Sequence, residues 1–246
     1  MATIGMKTVM KVNRPEVLPN QTQWLESATP EQLAGTLATM IADQLRSALA
    51  IRPKASLAVS GGRTPKAMLQ ELSLQSLDWH RVDITLADER WVPEDDSASN
   101  AALVKAWLLQ NNAAEATFYP IYTGEKSAHK GQQHCQQKLA PMHFPLDVLV
   151  LGMGNDGHTA SLFPLCPSLK EALTTQDICI ATCAPVDPTD RMTLTATILK
   201  LAQNTHLHIE GIGKRQVLVQ AIDLKDPLQM PVSNFFQQPL AIHWCP

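Results

Sequence analysis

Leu146-Asp147-Val148-Leu149-Val150-Leu151 runs directly into Gly152-Met153-Gly154-Asn155-Asp156-Gly157-His158, and this passage from strand to loop decides the fold. Leu146–Leu151 reads as an apolar strand of the kind buried on both faces of a parallel sheet. The loop behind it has the spacing G-x-G-x-x-G, which also marks dinucleotide-binding turns. Context excludes that reading. Pro164 follows the last glycine closely, leaving little room for a long crossover helix. The next strand, Ile178–Thr182, ends without the acidic residue a ribose would need. What remains is a polar loop at a strand's carboxyl end that holds Asp156 and His158 two residues apart. A lone histidine is commonly structural. Here it follows Asp-Gly at a strand end, where a general base is well placed, with Asp156 to orient it or to bind a hydroxyl.

Working outward, short apolar runs alternate with amphipathic stretches. Thr29-Pro30-Glu31-Gln32 reads as a helix start with Thr29 as cap, Pro30 in the first turn and Gln32 closing a capping box. Behind it Leu33, Leu37, Met40, Ile41 and Leu45 share one helical face. Strands are expected at Ser56–Ser60, Val82–Ala87, Thr205–Ile209 and Leu240–Trp244. Helices are expected at Thr64–Leu72, Ser99–Leu109, Ser127–Leu139 and Gly213–Ile222, with turns around Tyr119–Gly124. Crossovers of this length do not make hairpins, so the fold class is α/β: a doubly wound, mainly parallel sheet flanked by helices. No repeat or linker divides residues 1–246, which read as a single catalytic domain with a weakly specified N-terminal segment through Gln21.

Bulk properties narrow the function. The 246 residues are 45% apolar and only 17% charged, with a net charge of −3. No stripe of Lys and Arg suggests a nucleic-acid partner. No apolar run approaches the roughly 20 residues needed to span a membrane, and no apolar signal core precedes Gln21, so a cytoplasmic location is expected. Oligomeric state is not readable. Cys135, Cys166, Cys179, Cys183 and Cys245 form no C-x-x-C pair. Structural thiols, with Cys179 and Cys183 on a buried strand, are therefore expected over a disulfide or a zinc site.

In doubly wound sheets ligands sit beyond the carboxyl ends of the strands, and two more such loops carry polar chemistry. Ser60-Gly61-Gly62-Arg63-Thr64-Pro65 offers close backbone approach, hydroxyls and a helix start, which suits a phosphate. It reads equally as a tight turn with a capping threonine. Asp88-Glu89-Arg90-Trp91-Val92-Pro93 puts three charges after an apolar strand, which must pair, face a cleft or be solvated. Arg191 and Lys214 are each unremarkable alone, but together they could supply the positive charge a phosphate dianion requires.

In this order SGGRTP (60–65), ADERWVPEDDSASN (87–100) and LGMGNDGHTASLFP (151–164) resemble the motif set of the 6-phosphogluconolactonases, and RMTLT and GIGK fit its later positions. Asn155 in place of proline and the spacing before Lys214 depart from the pattern. The resemblance implies the fold shared with glucosamine-6-phosphate deaminase and ribose-5-phosphate isomerase. It also implies hydrolysis of 6-phospho-D-glucono-1,5-lactone, a phosphorylated sugar lactone of the pentose phosphate pathway, with no metal or cofactor. On that basis His158 activates water, Asp156 orients it and Arg90 stabilises the oxyanion. Ser60, Gly61, Gly62, Arg63, Thr64, Arg191 and Lys214 hold the phosphate, and Asp88, Glu89 and Gly154 complete the substrate contacts. The Asn-Glu-Pro-Gly expected after Asp-Gly-His in a deaminase is absent, no G-x-S-x-G elbow occurs, and no DNA-binding module accompanies the chain as in a sugar-phosphate sensor.

Overall fold

The computed structural model describes residues 15–246; residues 1–14, most of the weakly specified N-terminal segment, lie outside the described residues. In chain order the elements are β1 (Thr22–Glu26), α1 (Pro30–Ile51), β2 (Ala55–Val59), α2 (Lys66–Ser73), β3 (Val82–Leu86) and β4 (Asp88–Arg90). There follow α3 (Asn100–Trp107), β5 (Thr117–Tyr119), α4 (Ala128–Leu139) and β6 (Val148–Leu151). The rest comprises α5 (Leu169–Thr174), β7 (Cys179–Cys183), β8 (Asp190–Leu194), α6 (Ala196–Lys200), β9 (Asn204–Glu210), α7 (Ile212–Leu224) and β10 (Leu240–Cys245).

Seven strands form one sheet in the order β1-β10-β9-β6-β2-β3-β5, every pair of neighbours parallel. Strands β2, β3 and β6 are buried throughout, as expected of central strands covered by helices on their faces. From β2 the chain winds outward through β3 to β5, then returns to the other side of β2 and winds through β6, β9 and β10. The direction of winding therefore reverses between β2 and β6, and a crevice opens there at the carboxyl ends. The loops after these two strands are Ser60–Pro65 and Gly152–His158.

Local chemistry explains the elements. Thr29 Oγ1 accepts the Gln32 N–H at 3.3 Å. The Gln32 amide oxygen takes the Ala28 N–H instead of that of Thr29, one residue earlier than a strict capping box. Leu33, Leu37, Ile41 and Leu45 face the core, whereas Met40 lies at the margin of that face and is only half-buried. Ser99 and Ser127 each cap the helix behind them, accepting the N–H of Ala102 and Lys130, so both helices start one residue later than the pattern suggested. The apolar run before the decisive loop is also shorter than expected. Asp147 interrupts it, accepting the Ser56 N–H at 2.8 Å and pairing with Arg52, and the strand begins at Val148.

A second sheet was not anticipated. Asp88–Arg90, expected as a loop, forms β4 and pairs antiparallel with β8, which pairs with β7. It branches from the end of β3, where the Ala87 N–H donates to Val59 O at 2.9 Å and Ala87 O accepts the Leu194 N–H at 2.9 Å. Among the described residues, no helix is long and apolar enough to cross a membrane.

Candidate active site

A cleft of about 230 Å³ lies over the reversal point. The loops after β2, β6 and β9 border it on one side and the small sheet borders it on the other. Ser60, Gly61, Gly62, Arg63 and Thr64 line it, with Asp88, Arg90, Gly154, His158, Arg191 and Lys214. Two expected members do not. Asp156 stands behind His158, and Glu89 is fully buried behind the cleft.

The His158 loop is held from within. Asp156 Oδ1 lies 2.5 Å from His158 Nδ1 and accepts the His158 backbone N–H at 3.2 Å. Engaging Nδ1 fixes the ring's orientation and leaves Nε2 without a protein partner among the described residues. Burial works against charge on Asp156, but its hydrogen bonds from His158 outweigh it and hold the carboxyl below the usual range. A Cβ at Gly154 would overlap the His158 ring and the Asp156 carboxylate, so the loop closes this tightly only with glycine there. The Gly154 N–H donates to His158 O at 2.8 Å, and Gly157 O accepts the Val232 N–H at 2.9 Å, fastening the loop to a segment near the end of the chain. Phe163 packs its ring on His158, with centroids 4.3 Å apart.

The loop after β2 lies next to it, with the Gly152 N–H donating to Ser60 Oγ at 3.4 Å. Pro65 precedes α2 and no side chain caps that helix, so the capping-threonine reading of Thr64 does not hold. A helix start without a side-chain cap keeps its N–H groups and positive dipole end available to an anion. Lys214 comes from the first turn of α7 and its Nζ donates to Met153 O at 2.6 Å. Burial lowers its pKa, with Asp156 pulling the other way.

The small sheet brings the arginines. Arg90 and Arg191 are register partners across β4 and β8, a like-charge pair that is unfavourable without an anion nearby. Arg191 is buried; its Nε donates to Pro188 O at 2.8 Å and its guanidinium lies 5.7 Å over the Phe163 ring. Burial lowers its pKa and Asp88 draws it back up. Arg90 Nη1 donates to Asn100 Oδ1 at 2.6 Å and to Ala98 O at 2.9 Å. The Glu89 carboxylate receives the N–H groups of Arg90, Asn100 and Ala101 at 2.7–2.8 Å. Burial lifts its pKa to about 7 against those donors. With three backbone N–H groups and the Ser99 hydroxyl (3.4 Å) directed at its carboxylate, Glu89 positions β4 and the start of α3 and does not face the cleft. Asp88 does face it, and accepts the Ser161 hydroxyl at 2.5 Å.

Three residues of this site were not singled out from the sequence. Asn100 bridges Arg90 to the Gly61 loop, where a Cβ on residue 61 would overlap its side-chain amide. It is the last residue of the quoted 87–100 motif, and that was its only signal. Phe163 and Ser161 lie within the 151–164 motif but carry no chemistry that spacing alone would flag. Among the described residues no group of His, Cys, Asp and Glu is arranged to hold a metal ion.

Residues 28–244 match the family model described as glucosamine-6-phosphate isomerases/6-phosphogluconolactonase. The chain belongs to this family. A curated 6-phosphogluconolactonase of Pseudomonas aeruginosa is 45% identical over 218 residues, covering 88% of this chain and 91% of that one. Another, from Rhizobium meliloti, is 44% identical over 222 residues, 88% of this chain and 96% of that one. The crystal structure of a 6-phosphogluconolactonase from Shewanella baltica superposes with a TM-score of 0.91 at 41% identity, over 94% of this chain and all of that one. A monomeric glucosamine-6-phosphate deaminase of the NagB superfamily shares the fold alone, at 15% identity and a TM-score of 0.75.

Proposed function

We propose that the chain hydrolyses 6-phospho-D-glucono-1,5-lactone to 6-phospho-D-gluconate, with His158 activating the water. The observation that carries this reading is the His158–Asp156 pair at 2.5 Å on the edge of a cleft whose opposite wall is cationic. The 6-phosphogluconolactonases at 40–45% identity support the same substrate. A lactone is an activated ester, so a positioned base and charge stabilisation suffice. His158 Nε2 takes a proton as water attacks C1, and returns it to the ring oxygen when the C1–O bond breaks. A base of this kind contributes about 10²–10⁴-fold.

The phosphate sits at the start of α2, against Gly61–Thr64 and Lys214. The contacts favour a division of the arginines opposite to that expected from sequence. Arg191 reaches His158 through the shared Phe163 ring, so it is the donor for the developing oxyanion. Arg90, linked through Asn100 to the Gly61 loop, serves the phosphate side. Both sheets contribute to one cleft, which supports reading residues 1–246 as one catalytic unit.

The test is lactone loss followed at a pH where spontaneous hydrolysis is slow. Acceleration specific to the 6-phosphorylated lactone is expected. Binding without turnover would leave a sugar-phosphate sensor, and ammonia release from glucosamine 6-phosphate would make the chain a deaminase.

A further inference from the structure

Folding pairs thiols that the sequence spacing kept apart. Cys135 and Cys179 are fully buried, and a hydrogen bond to Cys135 together with burial pushes the Cys179 thiol far up. Cys166 and Cys183 form the other pair, with Sγ atoms 2.8 Å apart. Cys183, expected on a buried strand, ends β7 exposed to solvent. Its backbone N–H donates to Cys166 Sγ at 3.3 Å, and Ser168 Oγ lies 3.3 Å from the same sulfur.

These contacts make the two sulfurs unequal. Burial raises the Cys166 thiol, but hydrogen bonds from Cys183 and Ser168 outweigh it and bring it below the ordinary value. Burial and donation to Cys166 push Cys183 up to about 11. Cys166 sits just beneath the surface, 9% exposed, with a backbone N–H and a hydroxyl against its sulfur, and it touches the exposed Cys183 thiol. These are the contacts of an attacking cysteine beside its resolving partner. A disulfide holds its sulfurs at about 2.0 Å, so the bond requires only a small approach.

The pair also joins two parts of the cleft wall. Cys166 lies three residues beyond Phe163, whose ring packs on His158. Cys183 is the register partner of Asp190, which precedes Arg191 on β8.

We propose that Cys166 and Cys183 are an oxidative modification site: a hydroperoxide converts them reversibly to a disulfide that ties the segment following His158 to the hairpin carrying Arg191. The Cys166 thiolate attacks the terminal peroxide oxygen, the O–O bond breaks, and sulfenic acid forms as the alcohol or water leaves. The Cys183 sulfur then attacks the sulfenic sulfur, the S–O bond breaks and water leaves with the remaining proton. Two thiols lose two electrons and the hydroperoxide gains them. The site is independent of the reaction assigned to the cleft.

The reduced, full-length protein is treated with a few equivalents of hydrogen peroxide, alkylated, digested without reductant and mapped by mass spectrometry. A Cys166–Cys183 peptide pair lighter by two hydrogens, lost on adding dithiothreitol, is expected. In Cys183→Ser, dimedone should label Cys166 and no cross-link should form. The urea midpoint of the parent should rise on oxidation, because the closed loop restricts the unfolded chain, and that of Cys183→Ser should not. No cross-link in the parent, equal oxidation of Cys135 and Cys179, or the same midpoint shift in Cys183→Ser would each overturn the proposal. The peptide map of the parent decides the matter even if the variant does not fold.

Discussion

The seven-stranded sheet and the three-stranded sheet furnish the same cleft with different kinds of group. From the large sheet come loops: a base held by its own neighbours, and a helix start with backbone donors. From the small sheet come side chains on paired strands, Arg90 opposite Arg191, with their backbone fixed by a ladder. The base thus depends on tight turns inside Gly152–His158, whereas the guanidinium groups depend on strand register and on the buried Glu89. A loop can bring a histidine and a carboxylate together, but two like charges are kept face to face only by a stiff scaffold.

Breaking the loop's contribution has the largest expected effect. His158→Ala should lower kcat by about 10²–10⁴-fold with product affinity nearly intact; weak product binding with normal turnover would remove His158 from the base role. On the small sheet, Arg191→Ala should cost about 10²–10³ in kcat, while Arg90→Ala should chiefly raise KM. Steady-state kinetics on both variants, with the fold checked by circular dichroism, tests the division. The reverse pattern would restore the oxyanion role to Arg90.

Legibility divided along the same line. Strands β2 and β6 are apolar and run into glycine-rich loops, so the centre of the large sheet and its two main loops could be read directly. Strand β4 is Asp88-Glu89-Arg90, three charges whose burial makes sense only once three backbone N–H groups are seen to meet Glu89. Periodicity cannot register a strand of that composition, and the β4–β8 pairing that buries Arg191 went with it. Strand β1, at the edge of the large sheet with Gln23 and Glu26 exposed, was too polar to signal itself. Asn100 was missed because its role lies in bridging two segments distant in sequence.

The interior of the large sheet allows a smaller test, of stability. His206 and His243 on β9 and β10 are buried 3.0 Å apart, with Gln44 2.8 Å from the outer nitrogen of His206. Burial holds His206 near 4; burial and the neighbouring His206 and His208 hold His243 near 3. The unfolded chain gains these protons as pH falls through about 6.5 and the folded chain does not. This stability is therefore complete above about 6.5 and is lost as pH falls toward the folded values. Urea unfolding at about pH 7.5 and about pH 5 should show a loss of roughly 2 kcal/mol per histidine. Glu89, raised to about 7, has the opposite slope, so the quantity to read is the difference between the parent and a His206→Gln/His243→Gln variant. Equal acid loss in both would place the sensitivity elsewhere. The smallest expected effect is that of Lys214→Ala, a rise in KM of about tenfold for one charge-assisted phosphate contact; an unchanged KM would exclude it from the phosphate site.

The hydrogen bond from Val232 to Gly157 has a meaning in time as well as in space. A nascent chain that has emerged as far as Pro164 already carries the histidine, its aspartate and the glycine-rich loop after β2. The clasp that seats the His158 loop arrives only after β9 and α7 have been made. Competence to start folding and competence to catalyse are thus reached at different moments of synthesis, with the base locked in place late.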